Sequence, residues 1–249
     1  MTSTVSEVGV AFMDDEFVVA LRMRLRLPVC ADIPCARHAI RSGRRCGQAL
    51  DPDGHHAVLC KLGGLSTVLH DACCRRLWQA AKQSGALALR EQVIPELADP
   101  VRKEPRVDIE TWGLPNEMRG LYDFTICAPF AVRYGSGATA VAAAEARKRR
   151  EYPSVAGLAV TGIAADTFGR IGPALSETLE RWADHARMRD ISAGIQPRRW
   201  LRTWRAQLST EIALGVARMV ILSQRRAIPC AGEDAPARLP ASSAGDVLV

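Results

Sequence analysis

Two aspartates lie on neighbouring segments that alternate apolar and polar residues as short β-strands do. Asp108 falls in segment 106–110 and Asp123 in segment 121–127, with 14 residues between the two acids. Residues equally far from a hairpin turn face each other, so both carboxylates are expected at one end of one sheet face. Like charges that close repel each other unless a cation lies between them, and paired carboxylates suit a hard ion such as Mg²⁺. The pattern therefore predicts a divalent-metal site.

An alanine-rich segment, 138–152, follows and is expected to form a helix. Glu145, Lys148 and Tyr152 recur in it at steps of three and four, so they share one stripe of the helix. If that stripe faces the sheet, Glu145 and Lys148 come beside the aspartates as further catalytic residues. The lysine ammonium can then orient an attacking water and stabilise the charge of a phosphodiester transition state. Four nearby arginines are expected to hold the flanking phosphates. These arginines are Arg106, Arg147, Arg149 and Arg150.

Taken one at a time, these residues have ordinary explanations. Acids at strand ends are common, and Glu145 with Lys148 is a normal solvated helix pair. Their order along the chain favours a joint site, because an acid, a hairpin, a second acid, a helical lysine and a further strand follow one another.

Cysteine and histidine residues are concentrated upstream of the aspartates. Five of the eight cysteines fall within 44 residues, together with four of the five histidines. No secretory signal precedes them, so this concentration indicates thiols or metal ligands rather than a disulfide framework.

The spacing in this region resembles that of a zinc site, although no second cysteine lies two to four residues from Cys46. A degenerate site that holds no metal is therefore the alternative. The expected zinc ligands are Cys46, His56 and Cys60, with His55 able to replace His56, and with Cys35 as first choice and His70 as second choice for the fourth ligand.

The composition is that of a globular protein. The 249 residues are 48% hydrophobic and 24% charged, which argues against full-length disorder and against collagen-like or coiled-coil architectures. No apolar run approaches the length that spans a bilayer, and the N-terminus lacks a basic region followed by an apolar stretch. We therefore expect an intracellular, nuclear protein with no membrane partner.

The basic residues are mostly arginine. Only Lys61, Lys82, Lys103 and Lys148 are lysines among 33 basic residues, and the net charge is +6. Arginine suits phosphate recognition, so a polyanionic partner is favoured, although a biased genome base composition would give the same excess. With five Trp, three Tyr and five Phe, the chain offers few stacking platforms for single strands, so duplex or backbone recognition is expected.

Periodicity predicts a mixed α/β order along the chain. Helices are expected over 11–27, 67–84, 138–152, 173–188 and 198–225, and strands over 91–95, 106–110, 121–127 and 158–163. The tryptophans of the last helix are expected in the core. The predicted organisation is an amphipathic helix and linker (1–28), a degenerate zinc-knuckle-like segment (29–66), an α/β domain (67–190), a C-terminal helical extension (191–226) and a disordered tail (227–249).

The order Arg106-Val107-Asp108, Asp123, Lys148, Tyr152 resembles the restriction-like endonuclease domain of non-LTR retrotransposon reverse transcriptases, a branch of the PD-(D/E)xK nucleases. In that family a Cys-Cys-His-Cys zinc knuckle precedes the domain, as the cysteine- and histidine-rich segment does here. The resemblance covers about residues 10–220 and rests on motif order.

The resemblance implies a restriction-endonuclease-like central mixed sheet flanked by helices, with Asp108 and Asp123 as metal-binding acids and Lys148 as the catalytic lysine. Tyr152 matches the aromatic residue that closes the family's helix motif. Commoner nucleases of this fold carry the lysine two residues after the second acid, where this chain has Thr125, whereas this family supplies it from the following helix.

The implied activity is Mg²⁺- or Mn²⁺-dependent nicking of DNA, with DNA and element RNA as partners and Zn²⁺ in the knuckle. No polymerase is recognisable, so the chain would be an orphan fragment of a retrotransposon-type reverse transcriptase. Two alternatives stay open: a zinc-knuckle module that binds nucleic acid without cutting it, and a stand-alone junction-resolving or repair nuclease of the same fold.

Overall fold

The computed structural model describes residues 11–100, 103–114, 117–131, 139–152, 155, 157–189 and 196–225. Within them the chain forms helices, strands and one short 3-10 turn, Pro95–Leu97. The helices are α1 (Asp14–Arg24), α2 (His55–Leu59), α3 (Leu65–Gln83), α4 (Thr139–Arg150), α5 (Pro173–Arg189) and α6 (Pro197–Gln224), and the strands are β1 (Leu87–Val93), β2 (Arg106–Leu114), β3 (Glu117–Cys127) and β4 (Val160–Asp166).

The strands form one mixed four-stranded sheet in the order β1-β2-β3-β4. The β1–β2 and β2–β3 pairs are antiparallel, whereas β4 runs parallel to β3 after a crossover through α4. This confirms the predicted mixed sheet flanked by helices. In the β2–β3 register Ile109 pairs with Tyr122, so the next residues outward, Asp108 and Asp123, come side by side as the hairpin rule predicts.

Element boundaries differ from the predicted ones where tertiary pairing extends a strand. β1 begins at Leu87 rather than at residue 91, because it pairs along most of β2. Its odd-numbered residues are exposed on one side, and two of them, Leu87 and Leu89, are apolar, so polar and apolar residues do not alternate at the start of the strand. At the N-terminal end, Asp14 and Asp15 lie in the first turn of α1, where the helix dipole favours negative charge.

One hydrophobic cluster joins the sheet, the helices and the cysteine-rich segment. Cys35, Phe124 and Trp182 all belong to it, and the Trp182 ring packs edge-on against Tyr122 with centroids 5.4 Å apart. α6 contacts α1, α2, α3 and α5. By length and composition alone α6 could cross a membrane, but one of its faces is buried in this cluster, including Trp200 as predicted. The predicted tail 227–249 lies outside the described residues.

Candidate metal centres

The two aspartates, the lysine and the tyrosine predicted from the sequence come together at one end of β2 and β3. Lys148 Nζ lies 3.0 Å from Asp123 Oδ2, and the Tyr152 hydroxyl donates to the same oxygen over 2.7 Å. That hydroxyl also lies 2.9 Å from the Arg106 carbonyl oxygen, so it links the two strands. Asp108 Oδ2 accepts the backbone N–H of Phe124 at 2.6 Å, which fixes its carboxylate beside β3.

A glycine in β4 allows α4 to approach the sheet closely enough to deliver the lysine. Gly162 pairs with Asp123 in the parallel ladder. A Cβ at this position would lie 2.5–2.9 Å from the Glu145 carbonyl oxygen, Lys148 Cβ and Arg149 N. The sequence signal for such contact is a glycine inside an otherwise apolar strand, which marks close backbone approach. Sequence reasoning assigned Gly162 only to the strand.

The protein environment stabilises the ionised forms of Asp108 and Lys148 but not that of Asp123. Burial, reinforced by the nearby Asp108 charge, raises the pKa of Asp123 to about 6, although Lys148 acts in the opposite direction. Burial also works against the charge of Asp108, but His70 outweighs it and lowers the pKa of that carboxyl. Lys148 is protonated, because the attraction of Asp123 raises its pKa despite burial. A cation beside the two carboxylates would favour ionised Asp123.

His70, near the start of α3, faces the first aspartate. Its Nε2 lies 3.1 Å from the Phe124 carbonyl oxygen and 3.4 Å from Asp108 Oδ2, and its Nδ1 lies 3.3 Å from Asp71 Oδ1. Burial disfavours the charged ring, but hydrogen bonds with Asp108 and Cys74 raise the pKa of His70 to about 12. His70 therefore forms an ion pair with Asp108 and does not join the upstream cysteines as a fourth ligand.

Glu145 does not accompany Lys148 to the aspartates. Its buried carboxylate accepts the backbone N–H groups of Ala164 in β4 and of Ala174 and Leu175 in the first turn of α5, at 3.1–3.3 Å. Burial raises the pKa of Glu145, and these backbone donors oppose the rise. Glu145 lies about one turn before Lys148 on the same face of α4. At that level the face meets the N-terminal end of α5 and not the aspartates, which is why Glu145 is not part of the site.

The arginines predicted to bind phosphate lie around this site. Arg106, Arg149 and Arg150 are exposed, whereas Arg147 is partly buried and pairs with Glu151 at 2.7 Å. The exposed guanidinium groups are accessible to a polyanion.

Upstream, Cys35, Cys46, His56 and Cys60 offer ligand atoms that all lie within 4.8 Å of one another. The Cys46 thiol and His56 Nε2 are 3.3 Å apart. These are the predicted ligands with Cys35 as the fourth, and they form a possible Cys₃His metal-binding group. Mutual distances of this size suit tetrahedral coordination.

The loops that carry the cluster are fixed by hydrogen bonds to other parts of the protein. Asp51 accepts the backbone N–H groups of His55 and His56 at 2.8 and 2.7 Å, which holds the start of α2 and therefore the His56 ring. The buried Arg37 donates to the carbonyl oxygens of Cys60 and Met219, the latter in α6. Sequence reasoning missed both residues, and Asp51 had the detectable signal of an acid just before a helix.

His55 takes a different position from its neighbour, because its ring stacks on Phe130 with centroids 4.0 Å apart. It is therefore His56 that joins the cluster.

A cavity of about 720 Å³ opens beside the cluster, and its lining includes the basic residues Arg44, Arg45 and Lys61.

Comparison with protein-family models, with curated proteins and with solved structures finds no match for this chain.

Proposed function

We propose that this chain is a metal-dependent endonuclease that nicks DNA, as its resemblance to the endonuclease domain of non-LTR retrotransposon reverse transcriptases implies. The observation that carries the proposal is the position of Lys148 and Tyr152, both in contact with Asp123 Oδ2. The antiparallel β1–β2–β3 meander and the crossover through α4 to a parallel β4 are compatible with the restriction-endonuclease-like sheet that the resemblance implies.

The donor set fits a hard divalent cation. Asp108 and Asp123 provide carboxylate oxygens on adjacent strands, and the raised pKa of Asp123 reflects burial and a like charge, both of which a cation would counteract. These two residues would hold Mg²⁺ or Mn²⁺. Once bound, such an ion polarises a phosphodiester and activates a water for hydrolysis.

The side chains of the protein have separate tasks in this proposal. The Lys148 ammonium holds a fixed positive charge where a phosphodiester would gain negative charge. Tyr152 orients the Asp123 carboxylate by donating a hydrogen bond to it. Arg106, Arg149 and Arg150 are exposed near the site and hold neighbouring phosphates of the DNA backbone.

The Cys₃His group is proposed to bind Zn²⁺ as a structural ion, because three thiols and an imidazole form a closed ligand set. Its task is to hold the loops of the segment 29–66 against α6, which Arg37 also contacts. The basic cavity beside it would then take a stretch of nucleic-acid backbone.

That cavity also favours a second candidate, a module that binds nucleic acid without cutting it, because its basic residues act independently of the aspartates.

A plasmid assay separates the endonuclease from the binding module. With Mg²⁺ or Mn²⁺, the wild-type chain is expected to nick supercoiled DNA, and Asp123→Ala and Lys148→Met each to lower the rate by about 100-fold or more. Asp184→Ala, which removes an exposed acid of α5, serves as the matched control and should nick normally.

The outcomes distinguish the candidate functions. Equal cleavage by wild type and Asp123→Ala would eliminate the catalytic assignment. If all variants retard DNA and none cuts it, the chain is a binding module. A symmetric dimer that cuts branched DNA and contains no zinc would instead indicate a junction-resolving or repair nuclease.

A further inference from the structure

His70, Cys74 and Asp108 form a second group of ligand atoms, separate from the Cys₃His cluster, and we propose that it is a binding site for Zn²⁺ or a similar transition-metal ion. One ligand atom from each of the three residues lies within 4.8 Å of the other two. This site does not depend on the proposed nuclease function.

The local sequence explains why two of these ligands face the same way. His70 and Cys74 are one turn apart on α3, so they occupy the same face of the helix. That face packs towards the sheet, where β2 presents Asp108. The thiol is buried, with 3% of Cys74 exposed, while 31% of the His70 side chain and 18% of the Asp108 side chain are accessible to solvent.

The two distances from His70 Nε2 to the other ligand atoms match those of a zinc polyhedron. Ligand bonds of about 2.1 Å to nitrogen or oxygen and about 2.3 Å to sulfur give tetrahedral edges of about 3.6 Å between N and S and about 3.4 Å between N and O. In the structure His70 Nε2 lies 3.6 Å from Cys74 Sγ and 3.4 Å from Asp108 Oδ2. Three protein ligands leave the fourth position of a tetrahedron for water.

The surroundings of the imidazole also suit a metal ligand. Histidines that bind a metal through one nitrogen donate their other N–H to a carboxylate or carbonyl oxygen, which fixes the ring. Here Nδ1 lies 3.3 Å from Asp71 Oδ1, and Nε2 lies 3.1 Å from the Phe124 carbonyl oxygen and 3.4 Å from Asp108 Oδ2. The Cys74 thiol lies 3.7 Å from Nδ1 and 3.6 Å from Nε2. A bound ion would take the place of the direct contact between His70 and Asp108.

The ligand types select the metal. A thiolate and an imidazole favour zinc and similar ions over Mg²⁺, which prefers an all-oxygen environment. Asp108 belongs to both this group and the proposed nuclease site. Zinc here would therefore withdraw Asp108 from the Asp108–Asp123 pair and inhibit nicking, a consequence that does depend on the proposed nuclease function.

The experiment measures zinc bound per chain, using the full chain equilibrated with excess Zn²⁺ and then freed of unbound ion. Cys74→Ala and His70→Gln are each expected to bind one Zn²⁺ fewer than the wild type. Cys73→Ala is the matched control, because it removes the adjacent buried thiol, which is not part of the group, and it should bind as much zinc as the wild type.

Circular dichroism checks that each variant is folded, and Co²⁺ gives a second readout that does not need activity. The difference spectrum between wild type and Cys74→Ala should contain the charge-transfer absorption of one thiolate. Equal zinc content in wild type and Cys74→Ala, or no such cobalt difference, overturns the site. If zinc content changes as expected but no variant cuts DNA, the metal site stands and only the nuclease proposal fails.

Discussion

Replacing Asp123 by asparagine should make the metal-free protein more stable at neutral pH, although it should abolish nicking. Asp123 is buried beside a second carboxylate, and its pKa is raised from 3.8 to about 6. The folded chain therefore binds this proton more tightly than the unfolded chain does. The stabilisation by the bound proton is complete below pH 3.8 and is lost as the pH rises through about 6.

The size of the effect follows from the same two values. The pKa values differ by about two pH units, and each unit corresponds to about 1.4 kcal/mol, so wild type loses up to about 3 kcal/mol between acidic and neutral pH. Asparagine keeps a carbonyl oxygen that can accept from Tyr152, and it does not ionise. The variant should therefore exceed wild type in stability by up to about 3 kcal/mol near neutral pH.

Urea unfolding of both proteins in buffers that contain no Mg²⁺ or Mn²⁺, from about pH 4 to about pH 8, measures this difference. The difference in unfolding free energy should grow with pH and level off above the pKa of Asp123. Mg²⁺ added at neutral pH should then stabilise wild type and not the variant. The reasoning is refuted if Asp123→Asn is equal to or less stable than wild type at every pH.

Three further results are expected. Gly162→Ala places a Cβ within 2.5–2.9 Å of atoms in α4, so it should lower the unfolding free energy by about 1–3 kcal/mol and reduce nicking by displacing Lys148; normal stability and nicking would show that α4 does not need this contact. Glu145→Ala leaves three backbone N–H groups without their acceptor and should cost about 2 kcal/mol or more in urea unfolding, with zinc content unchanged. A strong zinc chelator should lower the melting temperature of wild type, and of Cys60→Ser much less, whereas an equal effect on both proteins would count against zinc in the Cys₃His group.

The parts of the site that follow from local periodicity could be predicted. A two-residue repeat and a hairpin are enough to bring Asp108 beside Asp123, and a helical repeat is enough to place Lys148 and Tyr152 on one stripe. The structure brings all four residues together, because the side-chain periodicity of a strand and of a helix is regular over the few residues that separate them. Periodicity likewise predicted the mixed α/β order along the chain, whereas the mixed sheet was expected from the family resemblance.

The remaining features depend on how distant elements pack, which no local pattern encodes. His70 precedes Asp108 by 38 positions, and their contact exists only because α3 lies against the sheet. The fourth ligand of the Cys₃His group is similar, because Cys35 is 11 residues before Cys46 and a loop folds back to join them. Only their residue types, and the one-turn spacing of His70 and Cys74, gave a signal in the sequence.

Glu145 and Asp123 show how a structural carboxylate can be told from one that awaits a cation. Both are buried, and both were expected in the same site. Three backbone N–H groups surround the Glu145 carboxylate, and these donors belong to fixed secondary structure, so they oppose the rise that burial causes in its pKa whether or not a ligand is present. Asp123 instead faces a second carboxylate, and its side-chain partners Lys148 and Tyr152 leave its pKa high. Burial alone therefore does not identify the metal ligand, whereas the kind of group that balances the buried charge does.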